Sequence, residues 1–165
     1  MLYDAPEHLK SIINRFVEKS GVKEPLSVKI QTNLPPSRGL GSSAAVAVAF
    51  VRASYDFMDQ PLDDKTLIKE ANWAEQIAHG KPSGIDTQTI VSNKPVWFKQ
   101  GQAETLKSLK LNGYMVVIDT GVKGSTKQAV EDVHVLCESD EYMKYVEHIG
   151  TLVHRASESI EQHDF

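Results

Sequence analysis

Fifteen residues at 43–57, SAAVAVAFVRASYDF, are apolar on nearly every side until Arg52. A helix of that composition has no wide polar face to turn to water, so it has to run buried through a core that the rest of the chain supplies. Partners for it are visible on both sides. Before it, Leu9, Ile12, Ile13, Phe16 and Val17 recur at helical spacing within residues 6–19, and Ser20-Gly21 supplies a stop. After it, residues 63–79 carry Leu67, Ala71, Ala74 and Ala78 on one stripe, with Asp63 and Asp64 suited to the N-terminal end of the dipole and Gly80 closing the helix.

Strand patterns are shorter. Residues 27–34 read SVKIQTNL, where Val28 and Ile30 alternate with polar neighbours before Pro35-Pro36, which predicts a half-buried strand. Further strands are expected at 95–99 and 114–119, a short helix at 86–91, and longer helices at 125–137 and 141–162. The polar, turn-rich stretch 100–113 is the expected boundary between a first lobe, 1–110, and a second, 111–165.

Composition limits the function classes. At 165 residues, 41% hydrophobic and 24% charged, the chain can bury a sizeable core, and a net charge of −4 with scattered Lys and Arg argues against a nucleic-acid partner. Cys137 is the only cysteine, so there is no internal disulfide framework, and no Cys/His cluster has the spacing of a structural zinc site. With no apolar run near the roughly 18 residues of a membrane span and no apolar leader at its start, the chain is expected to be cytoplasmic.

Chemistry concentrates in three places. The first is PPSRGLGSSAA at 35–45, which sets two glycines and three serines, two of them the pair Ser42-Ser43, between the expected strand and the buried helix. Glycines let a backbone approach an anion closely, and the first-turn N–H groups and the dipole of a helix favour negative charge; a tight turn with a serine N-cap would use the same residues. Neither G-x-x-x-x-G-K-[ST] nor G-x-G-x-x-G is present, which excludes the P-loop and the dinucleotide fingerprint. The second is Glu75, which flanks the apolar stripe of its helix and therefore needs a partner, either an ion pair with His79 or another cation, or a hard metal ion. The third is Asp86, carried past the turn Lys81-Pro82-Ser83-Gly84 to the start of a helix, where a carboxylate can cap or act.

The string P-x-x-x-G-L-G-S-S-A-A resembles the central nucleotide-binding motif of the GHMP kinases. The run WAEQIAHGKPSGID at 73–86 is similar to the pattern of the mevalonate kinase branch, a metal-binding glutamate followed by H-G-x-P-S-G-[VI]-D. VIDTGVKGSTKQAV at 117–130 looks like the strand, turn and helix that open the second domain in that family. The resemblance implies ATP held by Pro36, Ser37, Arg38, Gly39, Leu40, Gly41, Ser42 and Ser43; Mg²⁺ on Ser43 and Glu75; Asp86 as the catalytic carboxylate; and His79, Ser83 and Thr120 near the acceptor, mevalonate. It implies an α+β, two-layered fold, a GHMP N-terminal domain followed by the first elements of a ferredoxin-like domain, in a small-molecule kinase with a homodimer as an allowed assembly.

The family's N-terminal lysine and its late glycine-rich motif have no match here, and Lys81 does not stand in for the former. The chain is accordingly expected to be an internal piece that turns over poorly by itself. Phosphomevalonate kinase, which would need an added cationic cluster, and a nucleotide-binding module without catalysis are the rival readings. The remaining histidines, His8 among them, lack partners at ligand spacing and are expected to be solvated or packed.

Overall fold

A computed structural model describes residues 5–35, 38–99, 101–106, 114–122, 124–137 and 139–162. They fall into two compact units, residues 1–106 and 107–165, each treated by itself below.

The first unit is built on four helices. α1 (Glu7–Ser20) buries Leu9, Ile12, Ile13 and Phe16, the stripe its periodicity predicts, and ends at Gly21, whose left-handed backbone lets its N–H reach the Val17 carbonyl. α2 (Ser42–Phe57) buries Ala44, Ala47, Val48, Phe50, Val51 and Ser54. α3 (Asp64–His79) starts at Asp63, which accepts from the Thr66 N–H at 2.6 Å, and buries Leu67, Ala71, Ala74 and Glu75. α4 (Ile85–Ser92) buries Thr87 and Val91.

α2 and α3 pack directly on one another, and α1 and α4 each pack on both. Ala44, Ala47, Ala71 and Ala74 are wholly buried, and side chains this small let the two central backbones approach closely. The Phe16 ring meets Phe50 and Phe57 edge to face, with centroids 5.9 and 5.7 Å apart. On the rim, the Arg15 guanidinium lies 4.7 Å from the centre of the Trp73 ring and donates to Glu70 at 3.0 Å, while Lys19 pairs with the same carboxylate. These contacts fix α1 in register on α3.

β1 (Val96–Lys99) and β2 (Gln102–Thr105) form an antiparallel hairpin with Val96 opposite Thr105 and Lys99 opposite Gln102. β2 lies where a boundary stretch was expected. Conversely, residues 27–34 and 114–119 are not strands, because neither has a ladder partner among the described residues. Val28 and Ile30 are left exposed, and so are Met115, Val116, Val117 and Ile118.

The second unit contains α5 (Thr126–Leu136) and α6 (Asp140–Gln162). Ser125 caps α5 by accepting from the Gln128 N–H at 3.3 Å. No described residue of either helix is buried. Among the described residues no helix is long and apolar enough to cross a membrane.

Candidate functional site

The glycine loop delivers its residues to the start of α2. Gly39 and Gly41 both have left-handed backbones, with φ of 70° and 65°, the conformation that disfavours any residue with a Cβ. Gly41 is itself the N-cap, and no side chain caps the helix, so the serines do not take the capping role that the sequence allowed them. Among the described residues no side chain claims the N–H groups of the first turn, and they carry the positive end of a 16-residue helix dipole. Arg38 and Ser42 stand half-buried beside the exposed Leu40; Pro36 and Ser37 lie outside the described residues.

Ser43 turns away from the loop, toward α3. Its hydroxyl donates to Glu75 Oε1 at 2.6 Å and lies 3.5 Å from Nε2 of His8, in the first turn of α1. Glu75 is only 5% exposed, and its second oxygen faces Nε2 of His79 at 3.6 Å. A carboxylate this deep needs polar partners on both oxygens, and α2 and α3 provide them through Ser43 and His79. Burial lowers the pKa of His8, the Glu75 charge opposes that shift, and His79 adds to it.

Asp86 arrives from the other direction. Gly84, with φ of 87°, is the N-cap of α4, and Asn72 of α3 sits under it, the amide nitrogen 3.4 Å from where a Cβ would be. Ser83 Oγ accepts from the Ile85 N–H at 3.3 Å, which braces the turn. No side chain caps α4, so Asp86 in its first turn is not spent on capping. It is exposed and rests against the loop: a Cβ built on Gly41 would lie 3.7 Å from the Asp86 carboxyl carbon.

The fold thus brings together Gly41, Ser43, Glu75, His79 and Asp86, residues up to 45 positions apart. Thr120 belongs to the second unit, on an exposed stretch. His8 was missed by sequence reasoning, because its partners come from two other helices and no local spacing announces them. Chemically the cluster offers unclaimed backbone donors for an anion, an oxygen pair suited to a hard cation, and an accessible carboxylate that can take a proton.

Residues 7–93 match the family model of the GHMP kinases N terminal domain. A mevalonate kinase of Aeropyrum pernix is 34% identical over 145 residues, which are 85% of this chain and 44% of that protein. One of Pyrococcus abyssi is 33% identical over 155 residues, 93% of this chain and 46% of that protein. The crystal structure of mevalonate kinase from methicillin-resistant Staphylococcus aureus MRSA252 is similar over 100% of this chain and 52% of that one, at 66% identity and a TM-score of 0.76. The chain therefore spans about half the length of the relatives it matches.

Proposed function

The chain belongs to the GHMP kinase family, and from that premise we propose that in the complete gene product it forms the ATP- and Mg²⁺-binding part of a cytoplasmic mevalonate kinase, which moves the γ-phosphoryl group of ATP onto the primary alcohol of mevalonate. The observation that carries this reading is the position of Asp86, whose carboxyl carbon lies 3.7 Å from where a Cβ on Gly41 would be and so stands beside the uncapped end of α2. An anion bound on those N–H groups has a base within reach.

The roles follow from chemistry. Backbone N–H groups of the loop, from Ser37 to Ser43, hold and orient the phosphates, with Pro36 and Arg38 alongside. Asp86 accepts the proton of the acceptor hydroxyl as the bond to phosphorus forms, and most of the remaining catalysis is positioning. His79 and Ser83 flank the segment that carries Asp86 and are assigned to the acceptor, as is Thr120 from the second unit. Mevalonate is favoured over a phosphorylated acceptor by the names of the relatives.

Ser43 and Glu75 fit a magnesium ion. Both present hard oxygens, 2.6 Å apart, and the carboxylate is buried. Among the described residues no group of three or more His, Cys, Asp or Glu could hold a metal; an ion on Ser43 and Glu75 would take its further ligands from phosphate oxygens and water. When bound, Mg²⁺ supplies charge neutralisation at the phosphates. Residues 1–110 are assigned to the N-terminal domain, and 111–165 to the opening of a ferredoxin-like second domain.

The test is mevalonate-dependent ADP release by the complete gene product, with Asp86→Asn as control. Loss of a positioned base costs about 10²–10⁴-fold in turnover, with ATP affinity little changed. ADP release that is indifferent to mevalonate, or to Asp86→Asn, would reject the assignment.

A further inference from the structure

His8 stands outside every motif that led to the site, yet it reaches the centre of it. The Ser43 hydroxyl has one hydrogen and two lone pairs. Its hydrogen goes to Glu75 Oε1 at 2.6 Å, a carboxylate oxygen that can only accept. Toward the imidazole nitrogen 3.5 Å away, the hydroxyl therefore has only a lone pair to offer, and an attractive contact requires the hydrogen to sit on His8 Nε2. With its hydrogen and one lone pair committed to protein, the hydroxyl keeps one direction open.

We infer that His8 is a positioning residue of the cation seat: its Nε2–H holds the Ser43 hydroxyl in the rotamer that gives its hydrogen to Glu75 and leaves a lone pair for the metal. The inference rests on the assignment of Ser43 and Glu75 as metal ligands. It adds a role for α1, whose other residues serve packing. The packing is what makes the reach precise: Ile12, one turn beyond His8, is buried, Phe16 locks against Phe50 and Phe57, and Arg15 and Lys19 clamp Glu70 on α3. A hydrogen bond from the second layer fixes a ligand's orientation before the ion arrives, and removing such a partner costs about 10–100-fold in metal affinity.

The experiment is Mn²⁺ binding to the complete gene product in the presence of ADP, followed by electron paramagnetic resonance, in the parent and in His8→Leu, His8→Gln, Ser43→Ala and Glu75→Gln. His8→Leu keeps the bulk and loses the donor, and is expected to weaken Mn²⁺ binding about tenfold or more. His8→Gln, whose amide nitrogen reaches about as far as Nε2, is expected to recover most of it. ADP affinity without metal, measured in EDTA, should be the same in parent and His8→Leu; a residue that only supported the fold would lower both. If Ser43→Ala and Glu75→Gln lose Mn²⁺ and His8→Leu does not, the seat stands and the role of His8 is overturned. If neither of those two loses Mn²⁺, the seat itself is wrong and the inference goes with it. A second measurement needs no variant: long-range ¹H–¹⁵N spectra of histidine-labelled parent protein at pH 8 should show His8 as the Nε2–H tautomer, and the Nδ1–H tautomer would refute the hydrogen bond.

Discussion

Gly41 shows how little room the site leaves at the scale of one residue. Its φ of 65° already costs a residue with a Cβ roughly 1 kcal/mol, and the added carbon would touch the Asp86 carboxyl at ordinary contact distance, 3.7 Å. Gly41→Ala should therefore fold, with a loss of about 1 kcal/mol by denaturant titration and a modest loss of turnover in the complete gene product. Gly41→Val adds two branches to a Cβ that already sits in contact with Asp86 and Ile90. Its turnover should fall far more than its stability, and a valine variant with near-parent turnover would show that Asp86 need not sit against the loop. Ser43, Glu75 and Asp86 were legible in the sequence because each lies inside a string whose spacing encodes its neighbours. His8 was not, since its contact with Ser43 bridges 35 positions and depends on how α1 lies on the other helices.

At the scale of elements, the helices could be read nearly to their ends because 3.6-residue periodicity is local information. Strands could be read only in part: the one expected at 95–99 is β1, but a strand exists through its ladder partner. Residues 27–34 have the alternation and no partner among those described, whereas QAET at 102–105 has little alternation and pairs with β1 across a two-residue connection containing Gly101. The close approach of α2 and α3 through alanines makes a sharp prediction. Ala71→Leu inserts three carbons where nothing is exposed, and should cost about 1–3 kcal/mol by overpacking, read as a lower thermal midpoint. A leucine variant as stable as the parent would mean that the two helices are not held this closely.

The clamp between α1 and α3 should give stability an acid dependence. Burial raises the pKa of Glu70, but the hydrogen bonds and charges of Lys19 and Arg15 together outweigh it, so the carboxyl lies below its ordinary value of 4.5. A folded pKa below the unfolded one means stability that is complete above about pH 4.5 and is lost as pH falls through the folded value. Glu70→Gln should thus cost about 1 kcal/mol at pH 7 and progressively less below pH 4.5, in urea titrations of parent and variant. A difference that does not shrink with acid would assign the loss to packing, not to charge.

On the scale of the whole molecule, the two units differ in what holds them. The first has a shared core of Ile12, Phe16, Val48, Val51, Leu67 and Ala71, all buried. In the second, α6 runs 23 residues with Tyr145, Ile149, Leu152 and Val153 all exposed, although its apolar stripe was the longest that periodicity picked out. Periodicity reports which face a helix can bury, and says nothing about whether something covers it. An uncovered helix depends on its own propensity, which is marginal in water, while α2 and α3 open only when the core does. Hydrogen exchange on the 165-residue chain should therefore find α6 amides exchanging at least about tenfold faster than those of α2 and α3, the factor that a gap of ~1.4 kcal/mol in opening free energy supplies. Equal protection would mean that the exposed face of α6 is buried in solution, by self-association that dilution would reverse or by contacts that dilution would leave intact.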